Sequence, residues 1–130
     1  MAVASCACGQ LRAEVTGDPV RVSICHCTEC RRRTGSAFSH NARFLPGQVR
    51  LSGADRSFTR TGDEGSRITY HFCPDCGVTV WYGNSDVPDM VAIPVGAFAM
   101  IDCPTPVWSV YDDRRPAWLQ LDVPGLQVID

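Results

Sequence analysis

The spacing of the cysteines is the feature that most constrains the fold of this chain. The sequence has 130 residues, eight of which are cysteines. All but one lie in three short motifs: "CAC" at 6–8, "CHCTEC" at 25–30 and "CPDC" at 73–76. In a reducing compartment, thiols at such spacings are typical of metal ligands, whereas a secreted chain would use them as disulfides. The compartment therefore decides how the cysteines are interpreted.

The sequence indicates a cytoplasmic protein. The start, "MAVASCAC", has neither the basic region nor the apolar core of a secretory signal. The longest apolar run, "MVAIPVGAFAMI", contains a proline and a glycine and is shorter than the roughly 20 residues that span a bilayer. A net charge of −2 argues against nucleic acid or an anionic membrane as the partner. We therefore expect a metalloprotein rather than a disulfide scaffold.

The hydrophobic pattern predicts a mainly β fold. Apolar residues alternate in "QLRAEV", "VRVSI", "RITYHF" and "VTVWY", the period of half-buried strands. Glycine- and proline-rich segments such as "LPGQ" and "GNSDVPD" separate them as turns. No stretch has a convincing helical period, and at most one or two helical turns are expected after Cys27. We predict a single small antiparallel β domain over residues 1–130, stapled by zinc.

Two of the motifs together supply four thiols. Cys6 and Cys8 precede the first predicted strand, and Cys73 and Cys76 follow a later one in the knuckle "CPDCG". Two such pairs from separate hairpins complete a tetrahedral zinc site. A site with four protein ligands has no open position, so we predict a structural role for it.

The remaining motif supplies only three thiols. Cys25, Cys27 and Cys30 have Cys103 or a histidine as the remaining candidate for a fourth ligand, and Cys103 stands alone in the loop "DCPTP". Three protein ligands with a vacant position are typical of a catalytic zinc. Three thiolates already supply negative charge, so such a zinc favours binding a further thiol over activating water. The other partition, in which Cys6 and Cys8 join this triad, leaves Cys73 and Cys76 without partners.

Histidines add little at this stage. His26 lies between two predicted ligands, so its ring is expected to point away from the metal, as a neighbour of the ligands or a surface residue. His40 and His71 lie on predicted strands, and the sequence assigns neither a catalytic role.

The segments "SCACGQL", "CHCTECRRRTGSAF" and "FCPDCGVTV" resemble the cysteine motifs of the glutathione-dependent formaldehyde-activating enzyme family, which includes centromere protein V. "SVYDDRRPAW" resembles the family's closing aromatic motif. The resemblance implies a fold like that of the Rab-associated zinc-binding exchange factor, with two zinc ions. It implies a structural ion held by Cys6, Cys8, Cys73 and Cys76, and a catalytic ion held by Cys25, Cys27 and Cys30.

The resemblance also implies a reaction, the joining of glutathione to formaldehyde to give S-hydroxymethylglutathione. This is formally a carbon–sulfur lyase reaction run backwards. The chain departs from the family pattern at Ser109, where many members have a histidine. Glutathione carries two carboxylates, and the run Arg31 to Arg33 directly after Cys30 offers guanidinium groups to bind them, with Arg31 and Arg33 as the candidates.

Two other functions fit parts of the pattern. A methionine sulfoxide reductase of similar fold would use Cys103 as its nucleophile, although the C-x-C-x-x-C triad fits this poorly. A non-catalytic interaction module would need only the closed zinc site. A solvent-reachable three-cysteine site distinguishes an enzyme from such a module.

Overall fold

The computed structural model describes residues 2–130 and is mainly β. One helix, α1 (Thr28–Thr34), is accompanied by short 3-10 turns at Pro46–Gln48, Val95–Phe98 and Asp112–Arg114. The strands are β1 (Ala2–Ser5), β2 (Arg12–Val15), β3 (Arg21–Cys25), β4 (Ser39–Phe44), β5 (Val49–Ser52), β6 (Arg56–Thr61), β7 (Arg67–Phe72), β8 (Thr79–Asn84), β9 (Val91–Pro94), β10 (Trp108–Val110) and β11 (Gln127–Ile129).

These strands form two sheets. The smaller sheet has the order β1-β2-β5 and is antiparallel. The larger has the order β11-β10-β3-β4-β9-β8-β7-β6. Its two outermost pairings on one side, β3 with β10 and β10 with β11, are parallel, and the pairings from β3 to β6 are antiparallel. The larger sheet is therefore mixed.

The sequence predictions of secondary structure are confirmed. The four predicted strands correspond to β2, β3, β7 and β8, and the short helix after Cys27 is α1. The parallel pairings were beyond a prediction from local patterns. β10 reaches the side of β3 only after a long stretch of irregular chain that follows Phe98, and such a long connection allows two strands to run in the same direction.

The hydrophobic core lies between the two sheets. Ala13 and Val15 of β2 and Leu11, which directly precedes it, are almost fully buried, as their alternation predicts. They pack in one cluster with residues of the larger sheet, among them Phe44 and Ile93. Cys6 and Cys73 belong to the same cluster, so the core extends directly to the cysteines.

Among residues 2–130, no helix combines the length and the apolar character needed to cross a membrane.

Gly53 is the tightest point of contact between the ends of β2 and β5. Its φ of +96° lies in the left-handed region, and a Cβ there would be 1.7 Å from the carbonyl oxygen of Gln10. Gly65, in the turn between β6 and β7, has a similar φ of +88°, but its Cβ position is open. Comparing substitutions at the two glycines therefore distinguishes the cost of backbone strain from the cost of steric overlap.

We predict that Gly53→Ala destabilises the protein much more than Gly65→Ala. Gly65→Ala should cost about 1–2 kcal/mol, the strain of a left-handed alanine. Gly53→Ala adds a backbone displacement beside Gln10 and should exceed about 3 kcal/mol. Urea unfolding of the zinc-loaded protein measures both. Equal losses for the two variants would show that the close approach to Gln10 has no energetic importance.

Candidate functional site

The four cysteines of the first and third motifs come together. Cys6 and Cys8 lie in the loop between β1 and β2, while Cys73 and Cys76 lie in the turn between β7 and β8. Their four sulfur atoms all lie within 4.8 Å of one another. The Sγ atoms of Cys6 and Cys8 are 3.6 Å apart, as are those of Cys8 and Cys73. We call this group the four-cysteine cluster.

The two loops hold their sulfurs in similar ways. The N–H of Leu11 donates to Cys6 Sγ at 3.3 Å, and the N–H of Cys76 donates to Cys73 Sγ at 3.4 Å. The side chain of Gln10 donates a further bond of 2.9 Å to Cys73 Sγ. Burial alone raises the pKa of the Cys73 thiol, but these donors outweigh it and lower that pKa to about 6. The loops thus favour the thiolate that a metal needs.

The sulfur spacing fits zinc. In a tetrahedral site with zinc–sulfur bonds of about 2.3 Å, neighbouring sulfurs lie about 3.8 Å apart. The observed 3.6 Å is close to this value and far from the roughly 2.05 Å of a disulfide. All eight cysteines of the chain are free. The four-cysteine cluster is therefore a group that could hold a metal ion.

The second cluster combines a strand end and a helix start. Cys25 ends β3, Cys27 is the N-cap of α1, and Cys30 lies one turn further on. The Cys27 Sγ accepts the N–H of Cys30 at 3.2 Å, the capping bond that begins the helix. The three sulfurs lie within 4.8 Å of one another, so this three-cysteine cluster could also hold a metal ion.

The electrostatic environment of the three-cysteine cluster favours a thiolate at Cys27. Hydrogen bonds from the thiols of Cys25 and Cys30 hold the pKa of Cys27 well below its usual value, and the charge of Arg60 contributes. Arg60 in turn donates from Nε to the hydroxyl of Tyr70 at 2.8 Å. Burial raises the pKa of Tyr70, so the phenol keeps its proton at neutral pH.

His26 supports the cluster from behind. Its side chain is fully buried, as an interior neighbour of the predicted ligands rather than a surface residue. Its Nε2 lies 2.9 Å from the hydroxyl of Ser109, which donates to the carboxylate of Asp112 at 2.7 Å. Because the hydroxyl proton is directed to Asp112, Ser109 accepts from His26 Nε2. These two hydrogen bonds connect His26, between Cys25 and Cys27, through Ser109 on β10 to Asp112 in the segment that follows this strand.

The three-cysteine cluster opens into a cavity of about 330 Å³. The size is that of a small-molecule site. Five arginines line it, accompanied by four acidic residues and three tyrosines. These residues are Arg21, Arg33, Arg43, Arg60, Arg114, Glu29, Asp63, Glu64, Asp86, Tyr70, Tyr82 and Tyr111.

The predicted arginines have different positions. Arg33 lines the cavity, with its guanidinium 5.4 Å from the ring centres of both Tyr70 and Tyr82. Arg31 is directed elsewhere: Nε donates to the carbonyl of Ala37 at 3.1 Å and Nη2 to the carbonyl of Arg114. Its role in ligand binding stays a prediction. Arg32 is exposed and forms a loose ion pair of 3.8 Å with Glu29.

Cys103, His71 and His40, which were considered in the sequence analysis, lie apart from the two clusters. Cys103 is exposed in the loop before β10, where its thiol donates to the carbonyl of Met100 at 3.3 Å. His71 contacts Asp55 at 2.5 Å and stacks on Trp81 at 3.7 Å. His40 is partly buried, which lowers its pKa. None of these three residues is among the described residues that line the cavity.

Several cavity residues were missed by sequence reasoning. The position of Arg21 could have been predicted, because it lies four residues before Cys25 on a predicted strand and therefore on the same face of that strand. No local pattern places Arg43 or Arg60 at the cavity, since their positions depend on strand pairings far from the cysteine motifs in the sequence. Tyr111 has a φ of +53°, an unusual conformation for a tyrosine that no local pattern predicts.

A family model, "glutathione-dependent formaldehyde-activating enzyme", matches residues 1–114. The chain belongs to this family. Membership supports a glutathione-dependent function in formaldehyde activation in general terms. No curated protein matches the chain.

The fold has a counterpart among solved structures. A Rhodobacter sphaeroides protein, determined as a structural genomics target, superimposes with a TM-score of 0.59. The match covers 77% of this chain and 90% of that one, at 20% sequence identity. At this identity the likeness concerns the fold alone.

We predict that the two clusters respond differently to substitution. Wild type should hold two zinc ions per chain. Cys76→Ser should unfold or aggregate the protein, because a structural zinc contributes on the order of 10 kcal/mol that is also folding energy. Cys27→Ser should stay folded with one zinc ion. Metal analysis and circular dichroism measure both properties.

Cys103→Ser is the matched control, because this exposed cysteine lies outside both clusters. It should keep the fold and both zinc ions. A single zinc ion in folded wild type, or equal unfolding of Cys27→Ser and Cys76→Ser, would contradict the division into two kinds of site.

Proposed function

We propose that this protein is a zinc-dependent enzyme that joins a thiol, glutathione by family, to formaldehyde or a related aldehyde. Formally it is a carbon–sulfur lyase acting in the synthetic direction. The observation that carries the proposal is the opening of the three-cysteine cluster into an arginine-lined cavity. Thiol ligands at one point and cations around it match a substrate that has both a thiol and carboxylates.

The two clusters divide the metal chemistry. We assign the structural zinc to Cys6, Cys8, Cys73 and Cys76, and the catalytic zinc to Cys25, Cys27 and Cys30. When bound to three thiolates, zinc supplies an open position that favours the thiolate form of a substrate. Cysteine thus serves in both sites, as a structural ligand in the closed one and as a ligand of the catalytic ion in the open one.

Arginines near the open site stabilise negative charge. The positive charge of Arg60 acts on both Cys27 and Cys30. Arg33 is held over two tyrosine rings, and its Nε is buried without a hydrogen-bond partner among the described residues. A buried donor without a partner is costly, and an anionic ligand removes that cost. We assign Arg33 to a carboxylate of the substrate.

Tyr70 is positioned to supply a proton. Arg60 donates to the Tyr70 oxygen, which leaves the phenolic hydrogen free to donate into the cavity. As the substrate sulfur attacks the aldehyde carbon, the carbon–sulfur bond forms and the carbonyl electron pair moves to oxygen. That oxygen takes a proton from Tyr70, which is replaced from solvent by the proton that the thiol released. The sum is thiol plus aldehyde giving hydroxymethyl thioether.

The setting follows from the same chemistry. Cysteines without disulfides are typical of a reducing compartment, so we place the activity in the cytoplasm, within one domain over residues 1–130.

A purely structural zinc module has no need of a second cluster beside an arginine-lined cavity. For a methionine sulfoxide reductase, Cys103 would have to reach a substrate pocket, and it lies outside the described lining of this one.

We predict that zinc-loaded protein binds glutathione measurably at millimolar concentration or below. S-methylglutathione should bind about tenfold or more weakly, because it has no thiol to ionise. Arg33→Gln should also weaken binding, whereas the neighbouring Arg32→Gln should not, since Arg32 lies outside the cavity. Calorimetry measures the affinity of wild type for both ligands and the affinity of both variants for glutathione. If glutathione gives no heat at millimolar concentration, the family's reaction has to be withdrawn for this chain.

Turnover is tested in a separate experiment, on variants of Cys27 and Tyr70. Magnetisation exchange between [13C]formaldehyde and its glutathione adduct should be faster with wild type than in buffer. Cys27→Ser should abolish the acceleration, and Tyr70→Phe should slow exchange by about 100-fold while glutathione affinity is kept. Tight glutathione binding with no acceleration would favour a binding module over an enzyme.

A further inference from the structure

Two neighbouring strands form one wall of the cavity in paired rows. On β3, Cys25, Ser23 and Arg21 alternate onto the cavity face. β4 runs antiparallel beside it, with Asn41 opposite Ser23 and Arg43 opposite Arg21. The wall therefore presents a thiol, then a polar pair, then a pair of arginines.

We call the paired Arg21 and Arg43 the arginine row, and it has no ion-pair partner among residues 2–130. The ion pairs among residues 2–130 join other side chains, and none includes Arg21 or Arg43. The Nε of Arg21 is buried without a hydrogen-bond partner, and the Arg43 side chain has one long contact of 3.5 Å, to Ser23. Burial, together with the charge of Arg43, lowers the pKa of Arg21. Two like charges therefore lie on neighbouring strands, and neither forms an ion pair with an acidic side chain among the described residues.

Trp108 supports the Arg21 side chain. The guanidinium of Arg21 lies 5.0 Å from the ring centre of Trp108 on β10, a cation–π contact, and its Nε has no hydrogen-bond partner among residues 2–130. A guanidinium with an unused N–H can bind a carboxylate.

The middle row offers an acceptor. Asn41 is 2% exposed, and its Nδ2 donates to the hydroxyl of Ser39 at 2.9 Å. That bond fixes the amide, and its Oδ1 is left buried with no partner among residues 2–130. A buried carbonyl oxygen in this state can accept an N–H from a ligand.

We propose that Arg21 and Arg43 form a carboxylate subsite, and that Asn41 accepts an N–H located between this carboxylate and the thiol of the substrate. The subsite rests on the proposed function only in placing the thiol at the three-cysteine cluster. Arg21 lies four residues before Cys25, about 13 Å along the strand, a distance that the long arginine side chain shortens. The substrate class is a short peptide thiol acid.

Glutathione offers this order of groups on its glycine side. One amide N–H lies between the residue that carries the thiol and the glycine carboxylate. The three rows therefore match the cysteine thiol, the glycine N–H and the glycine carboxylate in sequence. This leaves the γ-glutamyl group for another part of the lining, and Arg33 beside Tyr70 and Tyr82 is its candidate partner.

The test compares four ligands by calorimetry on zinc-loaded protein: three thiols, namely glutathione, its glycine ethyl ester and 2-mercaptoethanol, and the thioether S-methylglutathione. Wild type should bind glutathione at least tenfold tighter than the ester. Arg21→Gln and Arg43→Gln should weaken glutathione about 10- to 100-fold and remove its advantage over the ester. They should leave 2-mercaptoethanol unchanged. The exposed Arg50→Gln on β5 is the matched control and should behave as wild type.

A second readout concerns stability without ligand. If the arginine pair is a binding device, Arg43→Gln relieves the repulsion and should keep or raise the thermal unfolding midpoint of the zinc-loaded protein. A lowered midpoint, together with equal binding of glutathione and its ester by wild type, would show a structural role and overturn the subsite.

The outcomes separate the subsite from the proposed function. If glutathione and 2-mercaptoethanol both bind wild type, and the arginine variants keep the preference for glutathione over its ester, only the subsite is wrong. If 2-mercaptoethanol does not bind and S-methylglutathione binds as tightly as glutathione, the function fails. S-methylglutathione then still tests the subsite, because it keeps the carboxylate without the thiol. Its weak binding to wild type should fall in Arg21→Gln, and no such fall would overturn the subsite.

Discussion

The convergence of four thiols from two distant loops is the constraint on which the rest of the structure depends. Cys8 and Cys73 are 65 positions apart in the chain, yet their sulfurs are 3.6 Å apart. One loop belongs to the smaller sheet and the other to the larger one, and the core lies between the two sheets. Metal bound there ties the sheets together at the edge of that core, which is valuable for a domain of this size.

That fixed frame makes a less complete site possible elsewhere. Among residues 2–130 the three-cysteine cluster has no fourth ligand, and two arginines of the cavity that it opens into, Arg21 and Arg43, have no ion-pair partner. Such a site costs stability in the free protein, because unpaired donors and facing arginines are unfavourable when buried. In our proposal, zinc bound to the four-cysteine cluster supplies the stability that offsets this cost. In our account, the substrate provides the sulfur, the anions and the N–H that the cavity lacks.

The sequence predicted the parts of this arrangement that depend on local spacing. The strands around Ala13 and Tyr70 follow from alternation, and the cysteine groups follow from their motifs. The cavity itself could not be predicted, because Arg43 and Arg60 reach it through pairings between distant strands. The burial of Ser109 beside His26 depends on the parallel pairing of β10 with β3, which local patterns do not reveal.

The most direct test of the account is the sulfur coordination of zinc, measured by X-ray absorption at the zinc edge. With both sites loaded and no added thiol, the average number of sulfur ligands per zinc should lie between three and four, with a lighter ligand making up the difference. Glutathione should raise the average to four. An average of four before any thiol is added would contradict the account, because it would mean that the three-cysteine cluster has no open position.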